Sequence, residues 1–83
     1  MSIFNRAQRW KVDWDRTLNR WRVREYRNRR TYFALGVSIE GQAMTEGERD
    51  SGSAYLVAEG HLRCEGVEDG NGTFERVVIH ADA

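Results

Sequence analysis

Two periodicities compete in the first third of the chain. At 100° per residue, Ile3, Phe4, Ala7, Trp10, Trp14, Leu18 and Trp21 fall within an arc of about 120°, with only Val12 outside it. Ser2 stands where an N-cap residue would. At period two, "RWKVDW" alternates Trp10, Val12 and Trp14 with charged residues, as a half-buried strand does. The helical reading accounts for more residues and predicts a helix over 3–21. From Arg20 the alternation is period two, with Trp21 and Val23 on one side and Arg20, Arg22, Arg24 and Tyr26 on the other.

The rest of the chain alternates more plainly. "TYFALGVSIEG" sets Phe33, Leu35, Val37 and Ile39 on one face and is the strongest strand signal. "TEGERDSGS" reads as a polar loop and "EGVEDGNG" as a turn cluster. "AYLVAEGHLRC" aligns Leu56, Ala58, Leu62 and Cys64, and "TFERVVIHA" aligns Val77, Ile79 and Ala81. All eight glycines fall between Gly36 and Gly72, so turns should concentrate in the second half. The predicted fold is α+β: an N-terminal amphipathic helix packed on a four-stranded antiparallel meander sheet, with Trp10, Trp14 and Trp21 filling the space between them.

Composition narrows the class. Eighty-three residues make a single domain, 1–83, with a modest core. The one cysteine, Cys64, allows no intramolecular disulfide, which suits a reducing compartment. The start, "MSIFNRAQRWK", lacks the apolar run of a signal peptide, and no stretch approaches the roughly 20 apolar residues of a membrane span. The expectation is a cytoplasmic protein with no membrane partner. The formal charge of zero hides a division: residues 1–33 carry a net +7 and residues 34–83 a net −7. Such asymmetry suits charged partners, although the halves can equally neutralise each other across the fold.

On this layout the uncovered sheet face collects Arg20, Arg22, Arg24 and Tyr26 from one strand, then Tyr32, Ala34 and Ser38. Tyr55, Val57, Glu59, His61 and Arg63 follow, then Phe74, Arg76, Val78 and His80. The stretch "RWRVREYRNRRTYF" alone holds six arginines and four aromatic residues. Unpaired bases stack on rings while arginine neutralises phosphates, so the candidate binding residues are Arg20, Arg22, Arg24, Tyr26, Tyr32, Tyr55, Arg63, Phe74 and Arg76. Tyrosine and arginine also suit a plain solvated strand face, or a homodimer through the open sheet face.

The segment "AYLVAEGHLRCEGVEDGNGTFERVVIHADA" resembles the last hairpin of bacterial single-stranded-DNA-binding OB domains. There an "EG-x-L-R" strand leads through an Asp/Gly turn to a basic, β-branched strand. The matching residues are Glu59, Gly60, Leu62, Arg63, Asp69, Gly70, Arg76 and Ile79. The resemblance covers about a third of the chain. It implies single-strand binding through the sheet face, including Arg63 and Arg76. The family's helix lies between strands rather than at the N-terminus. If residues 9–15 were a strand, the alternative architecture would be an all-β small OB-like barrel.

Other chemistry has thinner support. His61, Cys64 and His80 are zinc-ligand types, but His61 and Cys64 are three apart and point to opposite faces of one strand, so no metal is expected. Glu59 and His61 share a face without forming a catalytic set. "EDGNG" is not followed by a helix as a phosphate loop would be. The acidic loop with Glu46, Glu48 and Asp50 lacks a calcium-loop pattern. The sequence therefore predicts a non-enzymatic binding module without cofactors, whose partner is single-stranded nucleic acid or a nucleoprotein complex. The alternative is a phage-encoded inhibitor of a host defence complex, of the anti-CRISPR type, acting by surface blocking or DNA mimicry.

Overall fold

The computed structural model describes residues 10–27, 29–51, 55–57, 60–66 and 68–80. In chain order the elements are β1 (Trp10–Asp15), β2 (Arg20–Glu25), β3 (Arg30–Ile39), β4 (Gln42–Ala43), α1 (Glu46–Ser51), β5 (Tyr55–Val57), β6 (His61–Glu65) and β7 (Thr73–His80). One sheet runs in the order β5-β1-β2-β3-β7-β6, with β4 paired to the end of β3. All pairings are antiparallel except β3 with β7, which is parallel.

The predicted helix over 3–21 is overturned. Its residues 3–9 lie outside the described residues, and the remainder forms β1, a turn and the start of β2. Trp10 and Trp14 are four apart, a spacing that suits one helical face and one strand face equally. Val12, the misfit of the helical reading, is the residue that decides: it is fully buried opposite Val23. The β1–β2 turn is closed locally, since Asp15 Oδ1 accepts from the amides of Thr17 and Leu18 at 3.0 Å each. Asn19 takes the left-handed conformation there, φ 55°. Leu18 sits in that turn 48 % exposed rather than in the core.

The four-stranded antiparallel meander is overturned as well, because β7 returns to pair in parallel with β3. Its register, Phe33 with Thr73 through Ile39 with Ile79, brings Val37 and Ile39 beside Val77 and Ile79. The polar loop contains α1 instead. Thr45 and Glu48 form a reciprocal capping box: Thr45 N donates to Glu48 Oε1 at 2.8 Å and Glu48 N to Thr45 Oγ1 at 3.1 Å. A two-residue turn, Glu40 (φ 54°) and Gly41 (φ 84°), folds β4 back onto β3; both residues need positive φ in such a hairpin.

β5 and β6 lie at opposite ends of the sheet path, yet only three residues separate Val57 from His61. A chain spans at most ~3.6 Å per residue, so the two edges come within about 14 Å of each other there. Six flat strands about 4.8 Å apart would hold the edges about 24 Å apart. The sheet therefore curls back on itself around one core. Trp10, Val12, Trp21, Val23, Ala34, Val37, Val77 and Ile79 form that core, and Trp14, Tyr32, Ile39, Met44, Tyr55, Leu62 and Cys64 pack against it.

β3 serves both ends of this core by changing phase. Ala34 and Val37 are both buried although three residues apart, and between them lie Leu35, 66 % exposed, and Gly36. The predicted inward set of Phe33, Leu35, Val37 and Ile39 therefore holds only from Val37 onward. Before it, Tyr32 and Ala34 pair with Val23 and Trp21 on the core side.

Candidate nucleic-acid interface

The side of β1, β2 and β3 facing away from the three tryptophans is built by register. Asp13 pairs with Arg22, Asp15 with Arg20, and Lys11 with Arg24. On the other flank Arg22 pairs with Phe33 and Arg24 with Thr31. Four cations and two carboxylates thus alternate beside an aromatic ring and the exposed Leu35. Arg22 grips Asp13 with two hydrogen bonds, Nε to Oδ1 and Nη2 to Oδ2, both 3.1 Å. Arg24 Nη2 donates to the same Oδ2 at 3.0 Å, and Arg22 Nη1 lies 3.6 Å from Asp15. Burial by itself would raise the Asp13 carboxyl. The Arg22 hydrogen bond and the charges of Arg22, Arg24 and Lys11 outweigh it and hold the group below the ordinary aspartate value. The Arg22 guanidinium is correspondingly pushed up, first by its bond to Asp13.

Arg20 is held differently. Its guanidinium carbon sits 4.0 Å from the centroid of the Phe33 ring. Nη1 donates to the Asn71 carbonyl at 2.9 Å and also to Thr73 Oγ1. Asn71 belongs to the β6–β7 turn, which Asp69 stiffens by accepting from the amides of Asn71 at 2.8 Å and Thr73 at 2.9 Å. Those two backbone bonds, with the Arg20 charge, hold the Asp69 carboxyl below its usual value. The Nε atoms of Arg20 and Arg24 are buried with no partner among the described residues, so the protein does not saturate either guanidinium.

Two hollows lie at the turns that bound β2. One, of about 260 Å³, is lined by Arg24, Glu25, Tyr26, Arg29 and Thr31 at the β2–β3 turn. The other, of about 680 Å³, lies between the β1–β2 turn and α1 and is lined by Trp14, Arg16, Asn19, Arg49 and Asp50. There Arg49 stands 4.7 Å over the Trp14 ring, and Arg16 Nη2 donates to the Asp50 carbonyl at 2.9 Å.

The structure divides the candidate residues read from the sequence. Arg20, Arg22 and Arg24 stand together, and Tyr26 extends their line, exposed, beyond the end of β2. Tyr32 is on the opposite side, half-buried against the core with Arg30 over its ring at 5.0 Å; burial pushes its hydroxyl up. Tyr55 pairs opposite Val12 and also packs on the core, with its hydroxyl bonded to Glu48. Arg63 and Arg76 are exposed on β6 and β7, where Arg63 Nη2 reaches Glu65 at 2.7 Å. Phe74 is half-buried at a register position beside Ala34. Glu59 lies outside the described residues. Tyr32 and Tyr55 therefore leave the predicted nine-residue face, while Arg20, Arg22 and Arg24 stand together on β2, and Arg63 and Arg76 lie on β6 and β7.

Sequence reasoning missed Asp13, Asp15, Phe33 and Leu35 as members of this face. The signal for the aspartates was present: "DWD" and "RWR" carry opposite charges at alternate positions, the mark of cross-strand pairs. His61 and His80 stack across β6 and β7 with ring centroids 5.3 Å apart. Among the described residues no group of three or more His, Cys, Asp or Glu could hold a metal ion. Nor, among them, is any helix long and apolar enough to cross a membrane. No protein-family model matches the chain, and neither a curated protein nor a solved structure matches it.

Proposed function

We propose that the chain is a non-enzymatic cytoplasmic module that binds single-stranded nucleic acid, free or within a nucleoprotein complex, on the outward face of β2 and β3. The observation that carries this reading is Arg20. Its guanidinium plane is backed by the Phe33 ring and fixed from the side by the Asn71 carbonyl, with Leu35 exposed alongside. An unpaired base stacks on such a plane, and a neighbouring phosphate meets the arginine charge. Duplex DNA offers no free base face to this strip.

The strand path supports the same reading. With β5, which pairs with β1, and β6, which pairs with β7, counted as two parts of one strand, the order is that of an OB domain, and α1 sits between strands as in that family. In OB domains the second and third strands, with the first and last turns, form the oligonucleotide surface. Those correspond here to β2, β3, the β1–β2 turn and the β6–β7 turn.

Fluorescence anisotropy with labelled single-stranded and duplex oligonucleotides, at several salt concentrations, tests the proposal. Single strands should bind more tightly than duplex, and Arg20→Ala should abolish most of that preference while circular dichroism shows the sheet retained. No binding of any oligonucleotide at low salt would eliminate the reading. A pull-down from lysate that keeps a protein complex after nuclease treatment would then favour the inhibitor function.

A further inference from the structure

Resting on that reading, we infer that Asp13 is a built-in competitor for the nucleic-acid phosphates and sets how strongly the face can bind. Asp13 lies at the middle of β1 and opposite the middle of β2, and its carboxylate takes three hydrogen bonds, two from Arg22 and one from Arg24. This is the geometry in which arginine forks hold a phosphate. The site that a strand's backbone would occupy is already filled by an internal anion that offers arginine the same paired acceptor oxygens. Asp15 adds a weaker hold on Arg22 at 3.6 Å, and neither carboxylate bonds Arg20. Arg20 is thus left to engage ligand at full charge, while Arg22 and Arg24 must exchange Asp13 for phosphate. Such an exchange gives little net gain, so stacking at Arg20 dominates binding and the affinity of the native protein falls only gently with salt.

Neutralising the competitor should reverse this. Asp13→Asn keeps the size of the side chain and removes its charge. Its affinity for a labelled oligothymidylate should rise about three- to tenfold at low salt, and the log–log salt slope should steepen by roughly 0.7 for each phosphate gained. Arg22→Ala should then cost more affinity in the Asp13→Asn background than in the native one. Asp15→Asn, which frees only one weak contact, should steepen the slope less and serves if Asp13→Asn fails to fold. A folded Asp13→Asn protein that binds equally or more weakly would overturn the inference, because Asp13 would then be positioning the arginines rather than competing with ligand. Binding by the native protein with unchanged slopes in both variants would remove this inference and leave the binding reading intact. Absence of binding in every variant would remove both.

Discussion

Two patches of this small sheet carry arginines, half-buried in the first and exposed in the second, and they are held in unlike ways. On β1–β2 the partners sit on adjacent strands: Asp13 is only 16 % exposed and bridges two guanidinium groups. On β6–β7, Arg63 meets Glu65 two residues along its own strand, and both side chains are well exposed. An exposed pair contributes little, because water and salt screen it and two long side chains must be ordered to form it. A half-buried carboxylate with three donors is different, since removing it strands cations that the fold has partly desolvated. The first patch is part of how the fold is held together, whereas the second is decoration that the strands would tolerate losing. The same lattice that stabilises the first patch also restricts what its arginines are free to bind.

The contrast breaks first at the core beneath the first patch. Trp10 is 1 % exposed at the centre of the cluster, so Trp10→Ala should cost about 3–5 kcal/mol and unfold a domain this small. Leu35→Ala, at a position the alternation assigns to the core, should stay within about 0.5 kcal/mol of the native protein. Urea denaturation of both variants checks this pair.

Next in size is the carboxylate lattice. Asp13→Ala should destabilise by about 1–3 kcal/mol, the cost of unpaired buried polar groups, against about 0.5 kcal/mol or less for Glu65→Ala. Asp13 has a depressed value in the folded state, so its contribution is fully present above the unfolded aspartate value, about pH 4, and is lost as pH falls through the folded one. The stability gap between the native and Asp13→Ala proteins should therefore close over the acid range below about pH 4. A gap that is constant across this range would show that the carboxylate charge is not what stabilises.

The smallest expected effects separate the patches as binding surfaces. Phe33→Ala removes the ring behind Arg20 and should weaken single-strand binding by about 0.5–1 kcal/mol, the worth of the lost cation–π contact, with little change in salt slope. Arg63→Ala, on the other patch, should change affinity less than about twofold. Anisotropy titrations that rank these two variants the other way would move the interface to β6–β7.

Local alternation made the second half of β3, together with β6 and β7, legible, along with the turn between the last two, because the inward residues Val37 and Ile39, Leu62 and Cys64, and Val77 and Ile79 recur at period two. β1 was hidden by three tryptophans whose spacing fits a helix, and by the weight given to apolar residues over the charge pattern of Lys11, Asp13 and Asp15. α1 left a clear trace in Thr45 and Glu48 that a search for capping boxes finds. Other features lay beyond local reading. Tyr32, Phe33, Ala34 and Leu35 are apolar or aromatic on both faces, so only the partner strands decide that Tyr32 and Ala34 turn inward. The parallel pairing of β3 with β7 joins residues forty positions apart, and no short-range signal encodes it. Of the candidate site, the arginine row of β2 was readable; its aspartate braces and aromatic backing depended on pairing.

Arg20 reaches Asn71 and Thr73, which are 51 and 53 residues further along the chain. Contacts of such long sequence separation form late, after the entropy of closing the intervening loop has been overcome. A growing chain that has made only β1, β2 and β3 already displays every arginine of the row, but Arg20 then has the Phe33 ring alone and lacks its hydrogen bonds to Asn71 and Thr73. The face becomes competent when β7 docks beside β3, so recognition is coupled to closure of the sheet. Partly synthesised or C-terminally truncated copies would carry the charge without the preference for single strands.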